Sequence, residues 1–414
     1  MRYSSSHMIY VFLIFIACAN QQQENEKSIV PQTDSSKEEI FHIDPRKFKD
    51  NELNMTDFAA NISYIPLSNK ITLGNILTIK LTKEAIYIVS DASSGGEGNG
   101  LETLVRFDKN GQNPVQIGAI GKGPHEYLSC RYFVVDEKHD RIYINGKVNS
   151  VLVFNTKGNY IRDFKFEYTG QRFSQMELLG NKYLFMGIKG LGANVEYLWT
   201  ITDTLGHNVS RKWNIIPSFE THLGPRSGIF KFEDEVSYWV NYSDTIFTIS
   251  PDLSYHTSYV ITPGEHRATY QNPPFSLDLP IKLLEFYSPH SFMETNHYLV
   301  SRYNFKGKFA YVFIEKNTHK THIAYFEWNR DVKGGIPDNF DGGAVFNPDV
   351  YYADDKNEYL AGTVQPFQLK IHVASQEFKN STPKYPGKKK ELEKLANSLN
   401  ENDNPVLMLV ELKH

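Results

Sequence analysis

The chain has 414 residues, with 44 basic and 48 acidic side chains for a formal net charge of −4, so it carries no electrostatic footprint for nucleic acid. Its 25 tyrosines and 27 phenylalanines supply ample apolar area for a core. Its two cysteines lie far apart, at Cys18 and Cys130, which leaves no disulfide framework to staple the fold once Cys18 is modified as argued next.

In chain order the first element is the apolar run MIYVFLIFIA, Met8 to Ala17, preceded by Arg2 and followed by Cys18. It is about half of the roughly 20 residues that a membrane-spanning helix needs, and reads as the core of an export signal over residues 1–17. Phe15, Ile16 and Ala17 before Cys18 resemble a lipobox with Phe15 in place of leucine, which makes Cys18 the expected lipidation site and the membrane an expected partner through an N-terminal lipid anchor. An ordinary secretory signal is the alternative. Residues 18–40, rich in Gln, Glu, Ser and Lys, cannot bury enough surface to offset their ordering entropy and read as a flexible tether.

From residue 41 to 414 the pattern changes to short alternating strands between turn signals. Ile76 to Gln112 and Tyr132 to Asn159 are two copies of one unit: an apolar strand, a charged turn, an IYI strand, a polar turn, then a V-x-F strand. The closing DKNG (Asp108 to Gly111) and NTKG (Asn155 to Gly158) place glycine where a tight turn needs positive φ. Weaker copies follow at Met176 to Asp203, Tyr238 to Asp252 and Tyr298 to Glu315. At roughly 50 to 60 residues per unit the body holds about six, which predicts an all-β, six-bladed β-propeller, with a sandwich as the alternative. Lys388 to Ser398 predicts a short helix, and the nearly continuous apolar strand after it, Pro405 to Leu412, is expected to pair with Ile62 to Leu67 and close the ring.

The lipobox, ISYIPL, IGAIGKGPHEY (Ile117 to Tyr127) leading into YFVVDEKHDRIYI, and the closing PVLMLVEL resemble the six-bladed β-propeller lipoproteins of Bacteroidota, which are similar to NHL-repeat propellers. The resemblance implies a propeller and a cell-envelope address, the outer membrane in particular with either face open, and implies no activity.

IGAIGKGPHEY is not a P-loop: Lys122 is followed by Gly123 and Pro124 with no Ser or Thr for the metal, and a strand follows where a helix is required. It reads as a handover between blades, with Gly121 and Gly123 expected at unusual φ values and Pro124 stiffening the turn. Because such loops rim the central channel, Lys122, His125, Glu126 and Arg131 are candidate ligand-binding residues. In DVKGGIPDNFDGG (Asp331 to Gly343), Asp338, Asn339 and Asp341 are hard oxygen ligands spaced closely enough for calcium, although the glutamate of an EF-hand is missing. Asp338 and Asp341 therefore join the candidate list, with a solvated loop as the alternative. His319 and His322 in HKTH sit at a spacing that a strand sends to opposite faces, so no shared transition metal and no other cofactor is expected there. Asp203-Thr204-Leu205 and Asp244-Thr245-Ile246 resemble O-glycosylation acceptors of exported proteins in the same bacterial group.

Together these features predict a lipid-anchored envelope module that binds or scaffolds a glycan, a peptide or a partner protein. The alternative is a divalent-cation-dependent propeller enzyme, a lactonase-like hydrolase or a lyase, which needs convergent Asp, Asn, Glu or His at the channel mouth.

Overall fold

The computed structural model describes residues 40–49, 51–91, 101–147, 149–166, 173–191, 195–220, 226–271, 285–327 and 334–414. The expectations for residues 1–39, including Cys18, lie outside these.

Two N-terminal strands, β1 (Phe41–Ile43) and β2 (Ala59–Pro66), precede the repeating units. Five antiparallel sheets then follow in chain order. They are β3 to β6 (Ile76–Leu81, Ala85–Asp91, Glu102–Asp108, Val115–Gln116), β7 to β10 (Phe133–Asp136, Arg141–Lys147, Ser150–Phe154, Tyr160–Lys165) and β11 to β14 (Phe173–Leu179, Tyr183–Ile188, Tyr197–Asp203, Asn208–Trp213). The next two are β15 to β18 (Ser227–Phe232, Glu235–Val240, Thr245–Ile249, Tyr255–Ile261) and β19 to β22 (Ser288–Glu294, Tyr298–Phe305, Lys308–Glu315, Thr321–Phe326). The sixth sheet has the order β2-β25-β24-β23, built from β23 (Val350–Ala353), β24 (Glu358–Val364), β25 (Val406–Leu412) and the N-terminal β2. The innermost strands pack against their neighbours in the order β7, β11, β15, β19, β23, β3 around a common axis. The protein is a six-bladed β-propeller.

Ring closure follows the expected register, with Ile62 opposite Val410, Tyr64 opposite Met408 and Pro66 opposite Val406. Both ends of the body thus share one blade. Residues Val406, Leu407 and Val410 are fully buried, which accounts for the unbroken apolar run of this strand.

The turn from third to fourth strand recurs around the ring. In blades 1 to 4 the N–H of Gly111, Gly158, Gly206 or Leu253 donates to the carbonyl three residues earlier, at Asp108, Asn155, Asp203 and Ser250. The residue in that place is left-handed each time, with φ of 78°, 85°, 94° and 74°. Blade 5 uses a turn one residue longer, ending on His319 at φ 59°.

Two elements depart from expectation. Strand β1 adds to blade 4 as a fifth strand, parallel to β18, with Phe41 opposite Tyr259 and Ile43 opposite Ile261. The segment between β24 and β25 forms three helices, Pro366–Ala374, Gln376–Asn380 and Pro386–Ser398, of which only the last was legible. Pro366 opens the first helix, at the one place where a missing N–H costs nothing, and Leu369 and Val373 bury one stripe of it. Its sequence PFQLKIHVA also carries exposed Phe367 and Ile371 on the other side, so no clean helical stripe shows.

On the axis, Lys80 of β3 reaches Glu177 of β11 at 2.6 Å. Burial raises the Glu177 pKa, but Lys80 and Lys231 of β15 outweigh it and hold the carboxyl below its ordinary value. A charge cluster from blades 1, 3 and 4 therefore crosses the middle of the channel.

Candidate functional site

The strand ends define two faces. One carries the starts of the innermost strands and the turns between second and third strands; the other carries the turns that follow the first and third strands. On the first face, blades 4 and 5 enclose a cavity of about 260 Å³ lined by Arg226, Trp239, Tyr242, Phe286, Tyr287, His290, Asn304 and Phe309, among others. A second chamber of about 270 Å³, toward the axis, is lined by Tyr132, Gln175, Lys189, Arg226, Ser227, Trp239 and His290. Arg226, Trp239 and His290 line both.

Trp239 separates an aromatic chamber from a polar one because of a glycine. It lies opposite Gly228 across β15 and β16, and a Cβ on Gly228 would stand 2.0 Å from the indole nitrogen Nε1. The indole is thus pressed flat on strand β15, only 3% exposed, with Phe292 edge-on at 5.8 Å. Tyr242 holds φ of 68°, a conformation that costs a bulky residue of order 1–2 kcal/mol. Arg267 holds it there, donating from Nη2 to the Tyr242 carbonyl (3.1 Å) and from Nη1 to Asp244 (2.9 Å).

The electrostatics of the site are one-sided. Among the described residues no lining residue of either chamber is a carboxylate. Arg226 donates to the Ser288 hydroxyl at 3.0 Å; partial desolvation pulls its pKa down, though the residue stays exposed. His290 Nε2 is 2.9 Å from Asn304 Oδ1. Burial first, then the positive charges of Arg226 and Arg302, lower the His290 pKa to about 4, so the ring is neutral at pH 7. The opposite mouth differs: its cavity of about 550 Å³ is bordered by Glu233, Asp354, Asp355 and Glu358 alongside Lys231 and Lys356.

None of the six residues singled out for ligand binding lines these chambers. The IGAIGKGPHEY segment does connect blades 1 and 2, as expected, and Gly121 has the unusual φ expected of it, 159°; Gly123 does not, and the left-handed residue is Gly118, with φ of 65°. A Cβ on Gly121 would meet the Glu126 carboxylate at 2.0 Å, so the place of that carboxylate over the loop depends on this glycine. Glu126 folds back to accept the Gly123 N–H (2.7 Å), His125 stacks on Tyr160 of the outer strand β10 (3.8 Å), and Lys147 donates to the Gly123 carbonyl. Arg131 pairs with Glu102 at 3.0 Å, while the other Glu102 oxygen accepts from Ser129 Oγ and from the N–H groups of Cys130 and Arg131. Lys122 stands in the same loop.

Asp338 and Asp341 do come together, beside Tyr64 of the outermost strand β2 and away from the channel. Tyr64 donates to Asp341 Oδ1 (3.2 Å), which also accepts the Gly343 N–H (2.9 Å). Asp338 Oδ1 accepts from the Phe340 N–H (2.8 Å), and its Oδ2 is buried with no partner among the described residues. Burial, then Asp341, pushes the Asp338 pKa well above the usual carboxylate range; burial also raises Asp341. Among the described residues no three His, Cys, Asp or Glu side chains converge as a metal would require. His322 pairs instead with Glu315 at 3.0 Å, and the His319 ring lies against Phe41 at 4.1 Å. Thr204 stands in a turn of blade 3, and Thr245 opens β17.

Arg226, Trp239 and His290 were missed as site residues because they belong to no local motif. Arg226 immediately precedes β15 and His290 is the third residue of β19, so both stand near the start of an innermost strand, and lining up the weak later repeats there is the signal that finds them.

Comparison with one solved structure supports the architecture. A crystal structure from Bacteroides fragilis, of a protein named by inference as exported, superposes with a TM-score of 0.62 at 18% identity, covering 91% of this chain and 100% of that one. A DUF4221 family member from Bacteroides vulgatus gives 0.47 at 12% identity, covering 88% of this chain and 99% of that one. No curated protein matches the sequence. The family description "Domain of unknown function (DUF4934)" matches residues 39–411, essentially the whole propeller, and the chain accordingly belongs to the DUF4934 family.

Proposed function

We propose that the protein is a binding module of the cell envelope, anchored by lipid on Cys18, whose rigid propeller presents the face between blades 4 and 5 to a glycan, a peptide or a partner protein. One observation carries the reading. The paired chambers around Trp239 combine concavity, aromatic lining and a few placed polar groups, which is how small-ligand sites are generally built. The strained Tyr242 within the same wall supports it, because backbone strain gathers at functional sites. The name of the B. fragilis relative agrees with an exported address. The propeller fold itself decides nothing about activity.

The test is a binding screen of the full-length protein against envelope glycans, peptides and detergent-solubilised envelope extract, with Trp239→Ala as the site-directed control. Binding that the Trp239 variant loses supports the module. Catalytic turnover that is abolished by chelation, with a stoichiometric divalent ion in the purified protein, would replace it with the enzyme reading.

A further inference from the structure

Shape and charge in the paired chambers narrow the ligand class. The chamber on the blade 5 side offers Trp239, Phe286, Tyr287 and Phe309 as walls, suited to an apolar or aromatic body. The chamber toward the axis holds Arg226 and Lys189, with Gln175, Ser227 and His290 as neutral polar groups. Arg267, the third cation at the site, is already paired with Asp244 at 2.9 Å. Among the described residues Arg226 meets no carboxylate in either lining, and it donates to the Ser288 hydroxyl. Arg226 is exposed and so open to a ligand, and a carboxylate that docks bidentately on its guanidinium makes charge-assisted hydrogen bonds stronger than neutral ones. A cationic ligand would meet only like charge here. A neutral one would forgo the charge-assisted bonds to Arg226.

We infer that the site takes a small amphipathic carboxylate, its anionic head at Arg226 and Lys189 and its apolar or aromatic body in the chamber of Trp239, Phe286, Tyr287 and Phe309. This rests on the reading of the protein as a binding module. Two sources share the chemistry: a free aromatic acid, and the C-terminal carboxylate of a peptide ending in an apolar residue. His290 reports on the event: burial first, and then the Arg226 charge, lowers its imidazole pKa, and an anion beside Arg226 offsets the second of these.

The experiment is isothermal titration of the full-length protein with phenylacetate, indole-3-acetate, and a tripeptide ending in Phe in its acid and amide forms. At least one acid binds, the amide of a binding peptide is at least tenfold weaker, and affinity falls with added salt. Arg226→Gln, and separately Lys189→Gln, weaken binding while leaving the melting temperature unchanged, and the His290 ring pKa followed by NMR rises on saturation. Binding of the free acids alone assigns a small-molecule ligand; binding of the peptide acid alone assigns a chain terminus. Equal binding of acid and amide, or binding indifferent to Arg226→Gln, overturns the carboxylate assignment while the binding module stands. If no acid binds but a neutral glycan does, through Trp239, the outcome is the same. If nothing in either screen binds, both readings fall.

Discussion

Substituting Gly228 by alanine tests the architecture of the site through one atom. The added Cβ would lie 2.0 Å from Trp239 Nε1, 2.5 Å from Cε2 and 2.8 Å from Cζ2, so the indole must retreat by roughly 1.4 Å to reach the 3.4 Å of ordinary contact. It has little room, being 3% exposed and backed by Phe292 at 5.8 Å. Forcing an extra methyl into so closed a site typically costs about 1–3 kcal/mol. Urea unfolding followed by circular dichroism should show that loss in Gly228→Ala, together with a changed near-ultraviolet tryptophan band. Trp239→Phe should recover much of it in the double variant, since the clash is with the indole; the double-mutant cycle isolates the coupling. Gly387→Ala is the control. Nothing lies within 4 Å of its added Cβ, it sits inside the helix Pro386–Ser398, and a stabilisation of up to about 1 kcal/mol is expected. A Gly228→Ala protein as stable as the wild type, with an unchanged tryptophan band, refutes the claim that this glycine sets the indole.

Removing Pro405 to His414 strips β25 from between β2 and β24, exposing two edges and the faces that Val406 and Val410 bury, so the truncated chain should aggregate; a soluble monomer with cooperative melting would contradict the closure. The buried Asp338 and Asp341 pair makes a prediction with a definite sign. Carboxyl pKa values raised by folding mean that the folded chain binds protons more tightly, so this pair stabilises as pH falls toward the raised pKa and loses that contribution as pH rises through it. Asp338→Asn supplies a donor to Asp341 at every pH and should gain about 1–3 kcal/mol at pH 7 by thermal melting, with chelator making no difference. A melting temperature that drops in EDTA would instead place calcium on the pair. Cys130, fully buried and with its thiol pKa pushed up to about 12, should ignore a disulfide reagent in the native protein; rapid labelling at pH 8 would show that the Glu102 clasp is open.

The legibility of the fold divides along the third-to-fourth-strand turn. Blades 1 and 2 announce themselves because Gly111 and Gly158 fill the left-handed position, and blade 3 follows with Gly206. In blades 4 and 5 that position is held by Leu253 and His319, which the surrounding strands force into the same conformation, so the repeat persists in space after its marker residue is gone. Strand β1 was invisible for a different reason. Three residues, FHI, have no period to read, and their role is defined by β18, more than 200 positions away. The site was less legible than the fold. IGAIGKGPHEY attracts attention through its glycines, yet these accommodate Glu126, Phe154 and Tyr127. Arg226, Trp239 and His290 are isolated in sequence and meet only when blades 4 and 5 are set side by side.

Strand β1 also sets a direction. It runs parallel to β18, so Ile43 reaches the end near Ile261 and Pro263, at the cavity, while Phe41 lies at the other end against His319 in a turn of the far face. The polypeptide therefore comes onto the propeller from behind, on the side remote from Trp239. The same three residues that staple a fifth strand to blade 4 thus set the point where the chain leaves the propeller on the face opposite the cavity, and keep that segment clear of the cavity mouth.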